Sequence, residues 1–114
     1  MKTVKKPWGC EIWFAHNDKY VGKMLLIKKG CRLSRQYHKV KHETHYAIKG
    51  KYIMEVNGRE RTVKEGQATV LKPGTIHRMY AKFEDIQVVE ASTPEVWDIV
   101  RLDDDYGRLP KKPK

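Results

Sequence analysis

The chain has 114 residues and a mass of 13.4 kDa, which suffices for one domain with its own hydrophobic core but not for two. Lysine and arginine number 24 against 14 aspartates and glutamates, so the formal net charge is +10, and the mean hydropathy is −0.74. The longest apolar run, Met24–Ile27, is far shorter than the roughly 20 residues that cross a bilayer, which excludes a helical membrane span.

The N-terminal segment and the cysteine count both bear on the compartment. No apolar stretch opens the sequence, so we expect no signal peptide. Two cysteines, Cys10 and Cys31, are too few for a disulfide framework, and we expect free thiols in a reducing environment. Together these features predict a cytoplasmic protein.

Short β-branched and aromatic runs separated by turn residues follow one another along the chain, and no window has helical periodicity. This pattern predicts a single all-β domain over 1–114, built as a closed barrel or sandwich, with its core at about 7–108. The strongest turn signal is Asn57-Gly58, because a type I′ hairpin turn needs positive φ at both central residues. Both ends, 1–6 and the basic tail at 109–114, are predicted to be frayed. The predicted strands are Glu11–Ala15, Tyr20–Lys28, Leu33–His38, Glu43–Lys49, Lys51–Asn57, Arg59–Val63, Ala68–Leu71, Ile76–Tyr80, Ile86–Ala91 and Trp97–Arg101.

The excess of positive charge could indicate a nucleic-acid partner. The basic residues are scattered, however, and no helix-turn-helix pattern, zinc-finger spacing or string of RNA-stacking aromatics accompanies them. Charge alone supplies only nonspecific affinity. We therefore expect a lysine-rich surface with no specific nucleic-acid partner and no membrane partner. Some of the excess could also meet an anionic small substrate.

Side chains that bind divalent metals are concentrated in the middle of the chain. Because side chains alternate faces along a strand, Gln36 and His38 should share one face, and Glu43 and His45 should share one face of the next strand. His77 opens another predicted strand after a Pro-Gly turn and could add an imidazole. Imidazole with carboxylate suits Zn, Mn, Fe, Ni or Cu. If these faces look inward, the side chains converge on one cation in the barrel mouth.

Two segments resemble the two motifs of the cupin family. The first motif has glycine, glutamine, histidine, glutamate and glycine at Gly30, Gln36, His38, Glu43 and Gly50. The stretch from Gly66 to His77 resembles the second motif, and 15 residues separate it from Gly50, where the first motif ends. The resemblance implies a small jelly-roll β-barrel that holds one divalent metal. The implied ligands are Gln36, His38, Glu43 and His77. Most cupins carry histidine where this chain has glutamine.

Glutamine at that place is usual in the phosphomannose isomerase-like branch of the cupins, and three further segments resemble the same branch. They are Lys6–Gly9 with Glu11–Phe14, Leu33–His38, and Trp97–Arg108. This branch includes type II mannose-6-phosphate isomerases and the C-terminal domain of mannose-1-phosphate guanylyltransferases. The resemblance implies metal-dependent aldose–ketose isomerisation of a phosphosugar. No glycine-rich nucleotide-binding segment occurs in this sequence.

An enediol mechanism needs a base, a group that polarises the carbonyl, and positive charge near the developing oxyanion. We expect His45, Arg101 and Glu43 to form the catalytic set, with His45 as general base or hydroxyl-orienting residue. Arg101 and Lys72 are the candidate contacts to an anionic substrate group. Two alternatives stay open: Arg101 could form a structural ion pair with Asp98 or with acids at 103–105, and Lys72 could be solvated on its turn.

Competing functions are also open. The chain could be a non-catalytic module that binds a sugar or nucleotide sugar, or a cupin epimerase or dioxygenase. We also expect a homodimer, because small jelly rolls commonly pair through edge strands, and Glu11–Ala15 is the segment that could cross to a partner.

Overall fold

The computed structural model describes residues 1–109, and the basic segment 110–114 that the sequence predicts as a frayed tail lies outside the described residues. The strands within 1–109 are β1 Lys2–Lys6, β2 Gly9–His16, β3 Val21–Ile27, β4 Arg35–Tyr37, β5 Glu43–Lys49, β6 Tyr52–Val56, β7 Arg59–Val63, β8 Ala68–Leu71, β9 His77–Tyr80, β10 Ile86–Ser92 and β11 Val100–Asp103. Nowhere in these residues is there a helix of the length and apolarity needed to cross a membrane.

The strands pair antiparallel in two sheets. One has six strands in the order β1-β2-β3-β10-β5-β8, and the other has five in the order β11-β4-β9-β6-β7. Neighbours in space that are far apart in sequence, such as β3 with β10, are the mark of the jelly roll. The core lies between the sheets, where alternate side chains of each strand point inward, as Leu25 and Ile27 do in β3 and Val88 does in β10. The predicted all-β barrel is therefore confirmed.

Each of the ten predicted strands has a counterpart, and the differences have local causes. The prediction that residues 1–6 are frayed is wrong, because β1 pairs along its whole length with β2, from Lys2 opposite Trp13 to Lys6 opposite Gly9. A lysine-rich strand is tolerated at a sheet edge, where its ammonium groups reach water. The last predicted strand starts late, at Val100, because tight backbone turns between Pro94 and Ile99 precede it.

Glycines set two of the tight connections. The β6–β7 hairpin turns at Asn57-Gly58 with φ of 49° and 82°, as a type I′ turn requires. Gly50, between β5 and β6, has φ of 86°. A Cβ there would lie 2.7 Å from the Asp85 carbonyl oxygen and 2.8 Å from Ile86 Cγ2. Position 50 therefore favours glycine for two reasons: its backbone has a positive φ, and there is no space for a Cβ.

Comparing alanine at these two glycines separates those constraints. Gly58 also has positive φ, but a Cβ there meets nothing within 4 Å. We expect Gly58→Ala to lower the free energy of unfolding by about 1–2 kcal/mol through backbone strain. Gly50→Ala should cost at least about 1 kcal/mol more through overpacking. Urea denaturation measures both, and equal losses would contradict the close approach at Gly50.

Candidate functional site

One end of the space between the sheets is a cavity lined by polar and charged side chains. The five-stranded sheet contributes Gln36 from β4 directly opposite His77 from β9. The facing sheet contributes Glu43 and His45 from β5, and His38 follows β4. The four predicted metal ligands, and His45, the predicted base, all line this cavity. The fold thus brings together side chains that lie up to 41 positions apart in sequence.

The Glu43 carboxylate is the centre of the arrangement. Its Oε1 atom lies 3.5 Å from His38 Nε2, 3.4 Å from His77 Nε2 and 3.1 Å from His45 Nε2. Glu43, His38, His45 and His77 are each 2–4% exposed. Burial alone would raise the pKa of the Glu43 carboxyl, but His45 above all, with His38 and His77, holds that pKa well below its usual value. Glu43 is therefore an ionised, buried carboxylate.

The backbone fixes which nitrogen of His38 and His77 faces this carboxylate. His38 Nδ1 donates to the Asp98 carbonyl, and His77 Nδ1 donates to the Thr75 carbonyl at 3.0 Å. A carbonyl can only accept, so in both rings a proton is held on Nδ1, and Nε2 is the nitrogen that faces Glu43. A protonated Nε2 donates to the carboxylate, whereas a neutral ring offers its Nε2 lone pair to a cation.

This donor set fits a divalent cation. Two imidazole Nε2 atoms, which can offer lone pairs to a cation, face a carboxylate oxygen, and His38 Nε2 makes no hydrogen bond within residues 1–109. Ligands about 2.0–2.1 Å from a tetrahedral ion are about 3.4 Å apart, and the observed separations from Glu43 Oε1 are 3.4 and 3.5 Å. Hydrogen-bonded Nδ1 atoms are also the usual support of metal-bound histidines. His38, Glu43 and His77 can therefore hold a metal ion, with all three ligand atoms within 4.8 Å of one another.

Gln36 lies beside this group. Its Nε2 is 3.5 Å from His77 Nε2, and its Oε1 accepts a hydrogen bond from the Ser34 hydroxyl at 2.5 Å. Ser34 is 2% exposed, so this contact is inside the barrel. The hydroxyl can accept as well as donate, so it can also support the amide turned with its oxygen toward the cluster. Ser34 is a positioning residue that the sequence analysis missed.

Asp98 holds the loop that carries His38. Its carboxylate accepts backbone N–H groups of three consecutive residues, Lys39, Val40 and Lys41, at 3.0, 2.7 and 2.8 Å. Burial alone would raise the pKa of Asp98, but these three donors lower it overall. Asp98 therefore anchors the loop with its side chain and His38 with its carbonyl.

A second buried group lies on the other side of Glu43. Lys41 Nζ is 2.9 Å from Glu43 Oε2 and 3.1 Å from Glu90 Oε2. His45 Nε2 is 3.8 Å from Glu90 Oε1, and neither of its ring nitrogens makes a hydrogen bond of good geometry within residues 1–109. Burial alone would lower the pKa of His45, but Glu43 raises it overall. Sequence reasoning missed Lys41 and Glu90, because nothing local marks a lysine or an inward glutamate as buried.

Arg101 lines the cavity without an ion pair. Each acid that the sequence offered as its partner is engaged elsewhere: Asp98 by the loop, Asp103 by Arg35, Asp104 by Arg108, and Asp105 by Arg32 and Arg78. Arg101 Nε is buried with no hydrogen-bond partner in the described part of the chain. Burial, and then the neighbouring Arg108, lowers the pKa of Arg101. Lys6 and Arg108 line the same cavity.

Lys72 does not belong to this site. It is exposed on the turn between β8 and β9 and is not among the residues that line the cavity. It follows Leu71, which points inward, so alternation directs Lys72 outward. Lys6 and Arg108 line the cavity, and Lys72 does not. The residues around the cavity are Lys6, Trp8, Glu11, Trp13, Lys23, Leu25, Leu33, Ser34, Gln36, His38, Lys41, Glu43, His45, His77, Met79, Glu90, Val96, Ile99, Arg101 and Arg108.

Comparison with known proteins agrees with this fold and cavity. Residues 1–104 match the family model described as mannose-6-phosphate isomerase C-terminal, so the chain belongs to that family. It is 27% identical over 112 residues to mannose-1-phosphate guanylyltransferase ManC of Salmonella typhimurium and 28% identical over 109 residues to alginate biosynthesis protein AlgA of Pseudomonas aeruginosa. These alignments cover 95% and 92% of this chain, but it spans only 23% of the length of either relative.

Solved structures share the fold. KdgF from Halomonas sp. superposes with a TM-score of 0.76 at 20% identity, over 83% of this chain and 87% of that one. The capsular polysaccharide assembling protein CapF from Staphylococcus aureus superposes with a TM-score of 0.77 at 16% identity, over 90% of this chain and 34% of that one. A neighbour from Klebsiella pneumoniae is described as a double-stranded β-helix domain, the cupin architecture.

Removing one imidazole tests whether the cluster binds metal. We expect His77→Ala to weaken Zn²⁺ or Mn²⁺ binding at least about 10–100-fold, since even the loss of a supporting contact has that effect. His42→Ala is the matched control, because His42 is exposed on the loop before β5. Isothermal titration calorimetry measures both. Equal affinities in the two variants would rule His77 out as a ligand.

Proposed function

We propose that this protein holds one divalent metal ion at His38, Glu43 and His77, with Gln36 beside them, and isomerises a phosphosugar between its aldose and ketose forms. The observation that carries the proposal is the meeting of a metal-type donor set and an arginine without an ion pair in one cavity. The description of the matched family model names an isomerase, whereas the curated relatives are named as a guanylyltransferase and an alginate biosynthesis protein. The isomerase is the assignment that this cavity supports best.

The reaction moves a proton between two adjacent carbons through an enediol. A bound divalent ion would supply Lewis acidity that polarises the substrate carbonyl. The buried Glu43 carboxylate lies at the centre of the candidate ligands. Hydrogen bonds from their Nδ1 atoms to backbone carbonyls orient the rings of His38 and His77. Preorganised groups of this kind cost little reorganisation during the reaction.

His45 is the candidate base. It lines the cavity, and its Nδ1 has no hydrogen-bond partner within residues 1–109, so that atom is available to take the carbon-bound proton and return it. Its Nε2 faces Glu43 and Glu90, and two carboxylates stabilise the ring while it carries the extra proton. Lys41 bridges the same two carboxylates and offsets their mutual repulsion.

Arg101, with Lys6 and Arg108, is the candidate anion site. Arg108 forms a bidentate pair with Asp104, at 2.8 and 3.0 Å, so of the two arginines that line the cavity Arg101 is the one without an ion pair within residues 1–109. A guanidinium offers a planar fork of donors that matches a phosphate group. Its position in the cavity with the metal-type cluster suits a substrate with its carbonyl at one end and its phosphate at the other.

Substitution of His45 shows whether this residue acts as a general base or as a metal ligand. We expect His45→Phe to lower kcat by about 10²–10⁴, the usual contribution of general acid–base catalysis, while the protein still binds one equivalent of metal. Turnover and metal content are measured on the same preparation. Loss of the metal together with the activity would contradict the role of His45 as base.

Substitution of Arg101 tests the anion site. Removing a hydrogen bond to a charged group costs about 1.5–3 kcal/mol, so we expect Arg101→Met to raise KM for mannose 6-phosphate about 10–100-fold. Lys72→Met, which removes an exposed cation outside the cavity, should leave KM unchanged. The assay follows formation of fructose 6-phosphate by the metal-loaded protein.

The same assay decides between enzyme and binding module. Metal-loaded protein that turns over none of a panel of hexose and pentose phosphates would refute the isomerase. Saturable sugar binding that survives Glu43→Ala would then favour a non-catalytic module.

A further inference from the structure

Beside the candidate metal ligands lies a row of buried charged side chains that the proposed reaction uses only in part. Lys23 of β3, Glu90 of β10 and His45 of β5 lie directly opposite one another across three neighbouring strands. All three side chains are buried inside the barrel. Lys23 forms its ion pair with Glu11 at 3.4 Å. The ammonium in contact with Glu90 is that of Lys41, from the loop before β5.

The Lys41 ammonium lies between two carboxylates. Its Nζ is 2.9 Å from Glu43 Oε2 and 3.1 Å from Glu90 Oε2, and the residue is 5% exposed. Burial alone would lower the pKa of Lys41, but Glu90 and Glu43 raise it overall, so the amine is charged. Glu43 Oε2 has no hydrogen bond of good geometry within residues 1–109, so its contact with Lys41 is an attraction of charge more than of direction. Another cation could therefore replace the ammonium.

The side chains around the ammonium form a donor set for a metal ion. One oxygen of Glu43, one oxygen of Glu90 and one ring nitrogen of His45 all lie within 4.8 Å of one another. His45 Nε2 faces the two carboxylates at 3.1 and 3.8 Å, and neither ring nitrogen has a hydrogen-bond partner in the described part of the chain. Imidazole nitrogen and carboxylate oxygen are usual ligands of zinc. We call these three residues the latent site.

We propose that the Lys41 ammonium occupies the place of a second metal ion at the latent site and thereby limits the cavity to one metal. A carboxylate has two oxygens, so Glu43 can serve the first ion through Oε1, which faces the other candidate ligands, while Oε2 faces Lys41. The ammonium offsets the charge of one of the two buried carboxylates. Without it, two anions would lie beside a buried imidazole with no cation to compensate them.

The lysine also keeps His45 available as the base, a consequence that rests on the proposed function. An ion at the latent site would bind one ring nitrogen of His45. A neutral imidazole bound to metal through one nitrogen carries its proton on the other, so that nitrogen could no longer accept a proton. An ammonium compensates the same carboxylates without taking the imidazole as a ligand.

The zinc stoichiometry of the whole chain tests the proposal. We expect the unmodified chain to bind one equivalent of Zn²⁺ and Lys41→Met to bind two, by isothermal titration calorimetry and by elemental analysis after gel filtration. Lys39→Met, which removes an exposed lysine of the same loop, is the matched control and should bind one. The double variant Lys41→Met, Glu90→Gln loses one charge of each sign and one ligand of the latent site, so it should also bind one.

Melting temperatures with chelator and with zinc show whether each variant is folded. Lys41→Met leaves two buried carboxylates uncompensated, so we expect it to melt below the unmodified chain in chelator. Zinc should then raise the melting temperature of Lys41→Met more than that of the unmodified chain, because an ion that binds only the folded state stabilises it.

Three results would overturn the proposal. They are a Lys41→Met protein that binds no more zinc than the unmodified chain, one that stays unfolded with zinc present, and a double variant that also gains an equivalent. The latent site does not use His77, so the gain should persist when Lys41→Met is combined with His77→Ala. Failure of the first metal site removes the equivalent that the unmodified chain binds, whereas failure of the latent site removes only the gain, so the two are distinguishable.

Discussion

The arrangement depends most on one interaction, the approach of three imidazole nitrogens to a single buried carboxylate oxygen of Glu43. A buried anion is unfavourable unless positive charge or hydrogen bonds compensate it. Here Lys41 supplies one positive charge, and backbone carbonyls hold the Nδ1 atoms of His38 and His77, so that their Nε2 atoms face the carboxylate. This arrangement fits a cation among the three side chains His38, Glu43 and His77. Both sheets must close correctly for it to exist.

Polar residues inside the barrel have a cost that the rest of the fold offsets. Glu90 and Lys23 are buried on the inner face of the six-stranded sheet and Lys41 on the loop before β5, and each contacts a residue of opposite charge. The apolar half of the interior, around Trp8, supplies the hydrophobic stabilisation.

Periodicity predicted most of the fold because each strand is short and bounded by turn residues such as Asn57-Gly58. Alternation also placed Glu43 and His45 on one face, and the cupin resemblance selected Gln36, His38 and His77. What sequence could not supply was the identity of long-range partners. Arg101 has acids at nearby positions, yet the structure pairs them all elsewhere. Lys72 and Lys41 are alike in sequence, and only tertiary packing separates an exposed turn residue from a buried one.

The proposed chemistry requires a cation at the cluster around Glu43. An X-ray absorption spectrum of the full chain loaded with one equivalent of Zn²⁺ would reveal its ligands, because imidazoles give a distinctive outer-shell scattering pattern. We expect a single Zn²⁺ environment containing two imidazoles and at least one oxygen at about 2.0–2.2 Å. A spectrum without imidazole, or protein that retains no zinc, would contradict it.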